Sequence, residues 1–387
     1  MRRSVLLALL LSLCVPVAAS AAPGSVTRVA PAAWAHRSAY ALSAADAAAH
    51  PEWVLGDAAG DALSVGSSYA ADVGDPAYRA WWIDRAAAAV GGTRGLYIDD
   101  VTMERRFSGT ARDPRTGSNL SESAWQRYMA DFMVAVRGAL PSTEIVHEVV
   151  WTAWGWNVRR ELAAADAVAL ERGFRDPAIT GPWEFHAFLA FVEARQAAGQ
   201  DVVLGAGPGQ SYTLATYLLA DRGAASLATT DAWTGYGARL GAPAGSRYGW
   251  SGVWRRDFAD GMVLVNPPGA AARTLRVGAG YRELAGAARA TVTLPPGSGA
   301  VLARMPVAPP QPPPPVVQPP PVVIEPPAPA PPAPLTTQQR PGQIVAHTAG
   351  ARGPVATRTT ARLSRRRVHG RVRGARGGSV RVTVQRR

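Results

Sequence analysis

Lysine is missing from this 387-residue chain, cysteine occurs once, and no acidic residue follows position 339. The single Cys14 lies in an apolar run over residues 5–17, after Met1-Arg2-Arg3 and before Ala-Ala-Ser-Ala-Ala-Pro. That layout predicts a secretory leader over 1–22, cleaved near Ala21 or Ala22. The run is too short to span a bilayer, and Leu13 is bulkier than a lipoprotein leader tolerates before its cysteine. With the leader gone no thiol remains, which excludes disulfides and cysteine metal sites. An exported chain of this kind depends on its core, and a composition that is 47% hydrophobic supplies one.

Other absences narrow the chemistry. No His-x-x-x-His or acidic-loop spacing suggests a metal, and no Gly-x-Ser-x-Gly elbow suggests a serine hydrolase. Gly205-Ala-Gly-Pro-Gly209-Gln lacks both the Lys-Ser/Thr ending of a phosphate loop and the three-glycine dinucleotide fingerprint. No cofactor is expected. The net charge of +13 is local, because all 41 basic residues are arginine and thirteen of them lie in residues 340–387. Residues 1–339 then hold 28 arginines against 28 acids, so the body lacks the basic face of a nucleic-acid binder. The tail suits an anionic cell-wall polymer or a membrane surface instead. It is joined through residues 306–334, where sixteen of twenty-nine positions are proline, a polyproline spacer of at most about 90 Å at ~3.1 Å per residue. Valine alternation over 364–385 is either disordered chain or the start of a β-domain. Too few apolar residues are present to offset the chain entropy, which favours disorder.

Between leader and spacer, helical and strand patterns alternate. Asp75-Pro76 caps a helix ending at Gly91-Gly92, and Gly95-Leu-Tyr-Ile-Asp-Asp-Val101 follows as a buried parallel strand ending in two carboxylates. Residues 102–120 form a long polar connection of the sort that is usually functional. Ser121 opens an amphipathic helix, residues 144–150 form a strand that runs into Trp151-Thr-Ala-Trp154-Gly-Trp156, and 167–173 repeat the pattern. Helices over 182–198 and 211–221 alternate with strands over 201–206 and 224–230. A further possible strand lies at 52–55. Repeated βα units predict an α/β fold, a TIM (β/α)8-type barrel over 23–246. At about 30 residues per unit, residues 23–94 hold two more strands, which leaves the barrel incomplete at its N-terminal side. Short alternating runs over 247–305 predict an antiparallel β-sandwich, followed by the 306–339 linker and the disordered 340–387 tail.

Strand alternation puts Leu96 and Ile98 on one face and Tyr97 and Asp99 on the other, with Asp100 turned back as a loop or cap residue. Glu171 has the same parity and the same strand-end position as Asp99. Two carboxylates at the carboxyl ends of barrel strands are what glycoside hydrolysis uses, one as nucleophile or base and one as proton donor. Structural roles are the alternative: Asp99 capping its loop, and Glu171 paired with Arg172 or Arg175. Tyr97, Asp100 and Glu148 join the candidate substrate contacts, and His147 is either a further polar contact or a hydrogen-bonded core residue. Trp151, Trp154, Trp156 and Trp233 suit stacking on sugar rings.

Several stretches together resemble a known family. They are Pro51-Glu-Trp-Val-Leu55, Gly74-Asp-Pro-Ala-Tyr-Arg-Ala-Trp-Trp82, Gly95-Leu-Tyr-Ile-Asp-Asp100, Glu144-Ile-Val-His-Glu148, Leu170-Glu-Arg-Gly-Phe174 and Thr216-Tyr-Leu-Leu219. The chain is similar to a hypothetical glycosyl hydrolase-like family, the fifteenth of its series and distinct from the glucoamylases that share the number. Asp257-Phe-Ala-Asp-Gly-Met-Val-Leu-Val-Asn266 and Val292-Thr-Leu-Pro-Pro-Gly-Ser-Gly-Ala-Val301 resemble the β-sandwich that follows such barrels. The resemblance implies a TIM-barrel glycosidase related to the α-galactosidase-like superfamily. Its acids on the fourth and sixth strands fall here on Asp99 and Glu171, and Glu148 stands where an amide is expected. The function expected is secreted O-glycoside hydrolysis of a polysaccharide or glycoconjugate. The alternative is an inactive carbohydrate-binding protein of the cell envelope.

Overall fold

The structure, a computed structural model, describes residues 24–207 and 209–306 and the backbone of 359–364 and 367–372. The leader and most of the proline spacer lie outside the described residues.

Seven parallel strands form the central sheet: β1 (Arg28–Val29), β2 (Ala35–Ser38), β3 (Leu96–Asp99), β4 (Ile145–Glu148), β5 (Ala167–Leu170), β6 (Asp201–Gly205) and β7 (Ala225–Ala228). Their order is β1-β7-β6-β5-β4-β3-β2, every pairing parallel. The longer helices between them are α1 (Pro76–Ala89), α2 (Glu122–Ala139), α3 (Trp156–Ala163), α4 (Pro182–Ala197) and α5 (Gln210–Ala220), with a six-residue helix at Ala44–Ala49. Their starts follow the sequence rules: Asp75 accepts from the amides of Ala77 and Tyr78 with Pro76 at the first turn, and the Ser121 hydroxyl accepts from Ala124. This is an α/β sheet curled into an incomplete TIM-like barrel.

The incompleteness has a local cause. β1 and β2 are joined by only Ala30 to Trp34, with a 3-10 turn at Pro31–Ala33, so no crossover helix separates them and they do not pair with each other. The chain that would form another βα unit instead makes a small antiparallel sheet from Ala41–Leu42, Ser64–Val65 and Ser68–Ala70. The strand expected at 52–55 is a 3-10 turn, Pro51–Trp53, because Pro51 starts the turn and Trp53 is buried by it; only Val54 makes a bridge, to Ala71. Asp99 and Glu171 therefore belong to the third and fifth strands in chain order. They lie two strands apart in the sheet.

Strand alternation sorts the core as the sequence requires. Leu96, Ile98, Ile145, Val168, Leu170, Val202 and Leu204 pack outward with Trp82, Trp125 and Phe132 of the helices. Tyr97, Val146, Ala167, Ala169 and Val203 pack inward with Val29 and Trp34. Each of the largest buried rings contributes about 2–3 kcal/mol by burial.

A six-stranded antiparallel sheet follows: β8 (Tyr248–Trp250), β9 (Val253–Phe258), β10 (Gly261–Asn266), β11 (Arg273–Glu283), β12 (Ala288–Leu294) and β13 (Ser298–Arg304). It is one hydrogen-bonded sheet in the order β8-β9-β10-β13-β11-β12, where two facing sheets were expected. The long β11 shifts register between Arg276 and Tyr281, and only its far end pairs with β13. Arg256 ties the sheet to the barrel by donating to the carbonyls of Leu218, at 2.9 Å, and Asp221, at 2.5 Å. In the tail, where disorder was expected, Thr359–Ser364 pairs antiparallel with Arg367–Val372. The rest of the tail lies outside the described residues.

Candidate active site

Three neighbouring strands end in carboxylates at the same edge of the barrel. Asp99 is the last residue of β3, Glu148 the last of β4, and Glu171 the first after β5. Glu148 shares the inward parity of Val146, and Glu171 that of Ala167 and Ala169. Below them Tyr97 donates its hydroxyl to Glu171 Oε1 at 3.0 Å. Burial, then the neighbouring Glu171, Asp99 and Glu148 charges, hold the Tyr97 hydroxyl well above its ordinary range, so it stays a donor.

Glu171 is placed by glycine. Gly173 adopts φ +48 in the turn that follows, and Gly205 at the end of β6 approaches so closely that a β-carbon there would lie 1.7 Å from the Glu171 carbonyl oxygen. Two backbones without side chains thus set where this carboxylate leaves the barrel edge.

Asp99 faces His36, its Nδ1 3.4 Å from Oδ2. His36 is the register partner of Tyr97 on β2, and the two rings stack at 4.4 Å and 19°. The other ring nitrogen, Nε2, lies 3.0 Å from the Pro31 carbonyl. A carbonyl only accepts, so it is Nε2 that donates in this contact. Burial raises the Asp99 carboxyl; His36 pulls it back down and the Glu171 charge adds to the rise. His36 has no sequence signal, because β2 reads only as Ala-His-Arg-Ser in a weakly patterned stretch.

Asp100 bridges the strands. It takes φ +60, a region in which aspartate is tolerated; its Oδ2 accepts from the Ser38 hydroxyl at 2.6 Å, and its amide donates to Glu148 Oε2 at 3.3 Å. Arg106, from the long 102–120 connection, lies 3.6 Å from Glu148 Oε1 and 3.9 Å from Glu104. Burial raises the Glu148 carboxyl, the Glu171 charge adds to this, and Arg106 opposes it. Glu148, Glu171, Arg106, Arg172 and Trp151 line a cleft of about 420 Å³. Among the described residues no group of three or more His, Cys, Asp or Glu side chains is arranged to hold a metal ion.

The aromatic candidates separate. Trp151 packs edge-on against Phe188 at 5.3 Å with its ring at the cleft. Trp154 is 87% exposed and Trp156 68% exposed, the latter opening α3. Trp233 lies elsewhere, beside Tyr236 and a cavity of about 540 Å³ between the barrel and β11 and β13.

His147 points away from the cleft. It is fully buried, its Nδ1 donates to the Glu148 carbonyl at 2.7 Å, and it faces Glu161 of α3 at 3.2 Å. Burial pushes His147 down to about 4 and raises Glu161 well above its ordinary 4.5. The signs oppose each other. The folded state resists protonating His147, so stability is lost as pH falls from 6.5 towards 4; it retains the Glu161 proton, so stability is lost as pH rises beyond 4.5. Glu161→Met removes the second cost and keeps the His147 hydrogen bond. Thermal melting is expected to rise by about 2–4 °C at pH 7.5, roughly 1 kcal/mol in a domain of this size, and the gain is expected to vanish at pH 4.5. A lower melting temperature at pH 7.5 would show instead an ion pair that stabilises the fold.

A family model described as hypothetical glycosyl hydrolase family 15 matches residues 27–262. No curated protein matches the chain. Among solved structures, the glycoside hydrolase domain of PelA from Pseudomonas aeruginosa is similar at 18% identity and a TM-score of 0.34, over 51% of this chain and 78% of that one. An Anoxybacillus α-amylase is similar at 9% identity and 0.37, over 70% and 76%. A variant of the GH36 α-galactosidase AgaA from Geobacillus stearothermophilus is similar at 12% identity and 0.39, over 70% and 44%. The family match spans more than half of the chain, from β1 into β10, and takes in all seven barrel strands and the three carboxylates: the chain belongs to hypothetical glycosyl hydrolase family 15.

Proposed function

We propose that the barrel hydrolyses an O-glycosidic bond in a polysaccharide or glycoconjugate, with Asp99 and Glu171 as its acid and base pair. The observation that carries this is the convergence of Asp99, Glu148 and Glu171 at the carboxyl edge of adjacent strands, over a tyrosine that donates to Glu171. Glu171, accepting from Tyr97, serves as the carboxylate that attacks the anomeric carbon or takes a proton from water. Asp99, its carboxyl raised by burial, gives a proton to the departing oxygen as the C–O bond breaks, with His36 Nδ1 3.4 Å from its Oδ2. Glu148, tied to the Asp100 amide and facing Arg106, contributes the third charge. A screen of chromogenic glycosides and wall polymers tests the reading, and the anomer of the first product identifies the pathway, since retention needs carboxyls about 5 Å apart and inversion about 6.5–9.5 Å. Polymer binding without any product would leave a carbohydrate-binding protein.

Export follows from the leader, and the tail then meets the envelope. Thirteen arginines without an acid attract anionic wall polymers or phospholipid headgroups, and salt above about 0.1 M screens the attraction as the Debye length falls below about 10 Å. Truncation after Met305 is expected to abolish salt-sensitive retention on isolated envelopes and to leave hydrolysis of small substrates unchanged. Equal retention of both forms at low salt would leave the tail without this role.

A further inference from the structure

The cleft that holds Glu148 and Glu171 does not end at them. A second cavity, of about 530 Å³, lies beside it, and both are lined by the same two residues, Glu104 of the 102–120 connection and Thr152 of the loop after β4. Shared walls make the two cavities one groove. It runs from the catalytic edge past Thr152 to Trp154 and the first turn of α2, where Ser123 and Gln126 close the far end. Either part alone has the size that encloses a small ligand, about 300–1,000 Å³. Joined, they exceed what one sugar ring fills.

The far part is equipped for a sugar. Trp154 is the most exposed of the large hydrophobic side chains among the described residues, at 87%. Its ring contributes little to the core, whereas Trp151, three residues earlier, is packed against Phe188. An exposed indole on a polar cavity that is also lined by Ser123 and Gln126 offers the pairing that a pyranose ring uses: stacking on its C–H face and hydrogen bonds at its edge. Charge narrows the occupant. The groove is lined by five carboxylates, Glu104 and Glu122 on the far side and Glu148, Glu171 and Asp176 with Glu104 on the near side, against Arg106 and Arg172. Such a lining repels a polyanion.

We propose that this groove holds an extended glycan chain without anionic groups, with Trp154 as a stacking subsite remote from the point of cleavage, so that the chain is cut internally rather than at its end. Internal cleavage rests on the glycosidase reading above; chain binding does not. The full-length Glu171→Gln protein is run by affinity electrophoresis in gels containing soluble starch, xylan, galactomannan or dextran, and again with polygalacturonate. Retardation by at least one neutral polymer is expected, with a tenfold or greater rise in Kd on adding Trp154→Ala and no change in melting temperature, since the side chain is exposed. Absence of retardation by all four neutral polymers, a Trp154→Ala Kd equal to that of its parent, or polygalacturonate binding that is lost in Trp154→Ala would each overturn the proposal. The two readings fail differently. With Glu171 intact, a bound polymer that yields no new reducing ends sinks hydrolysis and leaves the groove. Release of single sugars alone, unaffected by Trp154→Ala, sinks the groove and leaves hydrolysis.

Discussion

Asp99→Asn and Glu171→Gln are each expected to lower kcat/KM by about a thousandfold, within the 10²–10⁴ range of positioned acid–base groups, while the melting temperature stays within a few degrees. Each exchange keeps the side chain's shape and removes only its proton chemistry. Glu171→Gln still presents an oxygen to the Tyr97 hydroxyl, 3.0 Å away, so the loss falls on reaction rather than folding. Asp99→Asn removes the carboxylate that faces His36 and is expected to flatten the basic limb of the pH profile as well, because the donor that loses its proton there is gone. Asp100→Asn is the internal control. Asparagine tolerates φ +60 as aspartate does, and its oxygen accepts from Ser38 in the same way, so a loss of tenfold or less is expected. Equal losses at Asp99 and Asp100 would overturn the assignment by strand parity.

That parity is the part of the fold most legible in the sequence. Leu96 and Ile98 do face the helices, and Tyr97 faces the interior, because a strand's side chains alternate whatever its neighbours are. Helix starts at Asp75 and Ser121 were equally legible, since capping is a local hydrogen bond between residues two or three apart. What could not be read depends on partners distant in sequence. β1 has two residues and β2 four, too few to show a period, and each exists only because β7 or β3 pairs with it. His36 and Ser38 reach the site through that pairing. Arg106 reaches it across the long connection to meet Glu148. His147 was ambiguous because its parity places it outward while its neighbour Glu148 points inward. Only the presence of Glu161 on α3 shows what occupies that outward side. Trp233, one of four aromatic candidates from the loops at the strands' carboxyl ends, lines the cavity beside β11 and β13, away from the carboxylate cleft.

Gly205→Ala is expected to lower kcat/KM by about a hundredfold, although residue 205 carries no functional group. Its new β-carbon would sit 1.7 Å from the Glu171 carbonyl oxygen and 2.6 Å from the carbonyl carbon. Both are backbone atoms, so no rotamer change relieves the clash, and the turn carrying Glu171 must move away from β6. The turn has little freedom to do so, since Gly173 already takes φ +48 and a β-carbon added there would itself lie 2.1 Å from the Gly205 carbonyl oxygen. Overpacking of this kind costs about 1–3 kcal/mol, or roughly 3–10 °C of melting temperature, and a displacement near 1 Å costs about a hundredfold in kcat/KM. Gly138→Ala, near the end of α2 with nothing within 4 Å of the added carbon, is expected to stabilise slightly, because alanine is the better helix former by about 0.5–1 kcal/mol. The comparison separates position from glycine content as such. A Gly205→Ala protein that melts a few degrees lower but cleaves at the parent rate would mean that the placement of Glu171 does not depend on this contact.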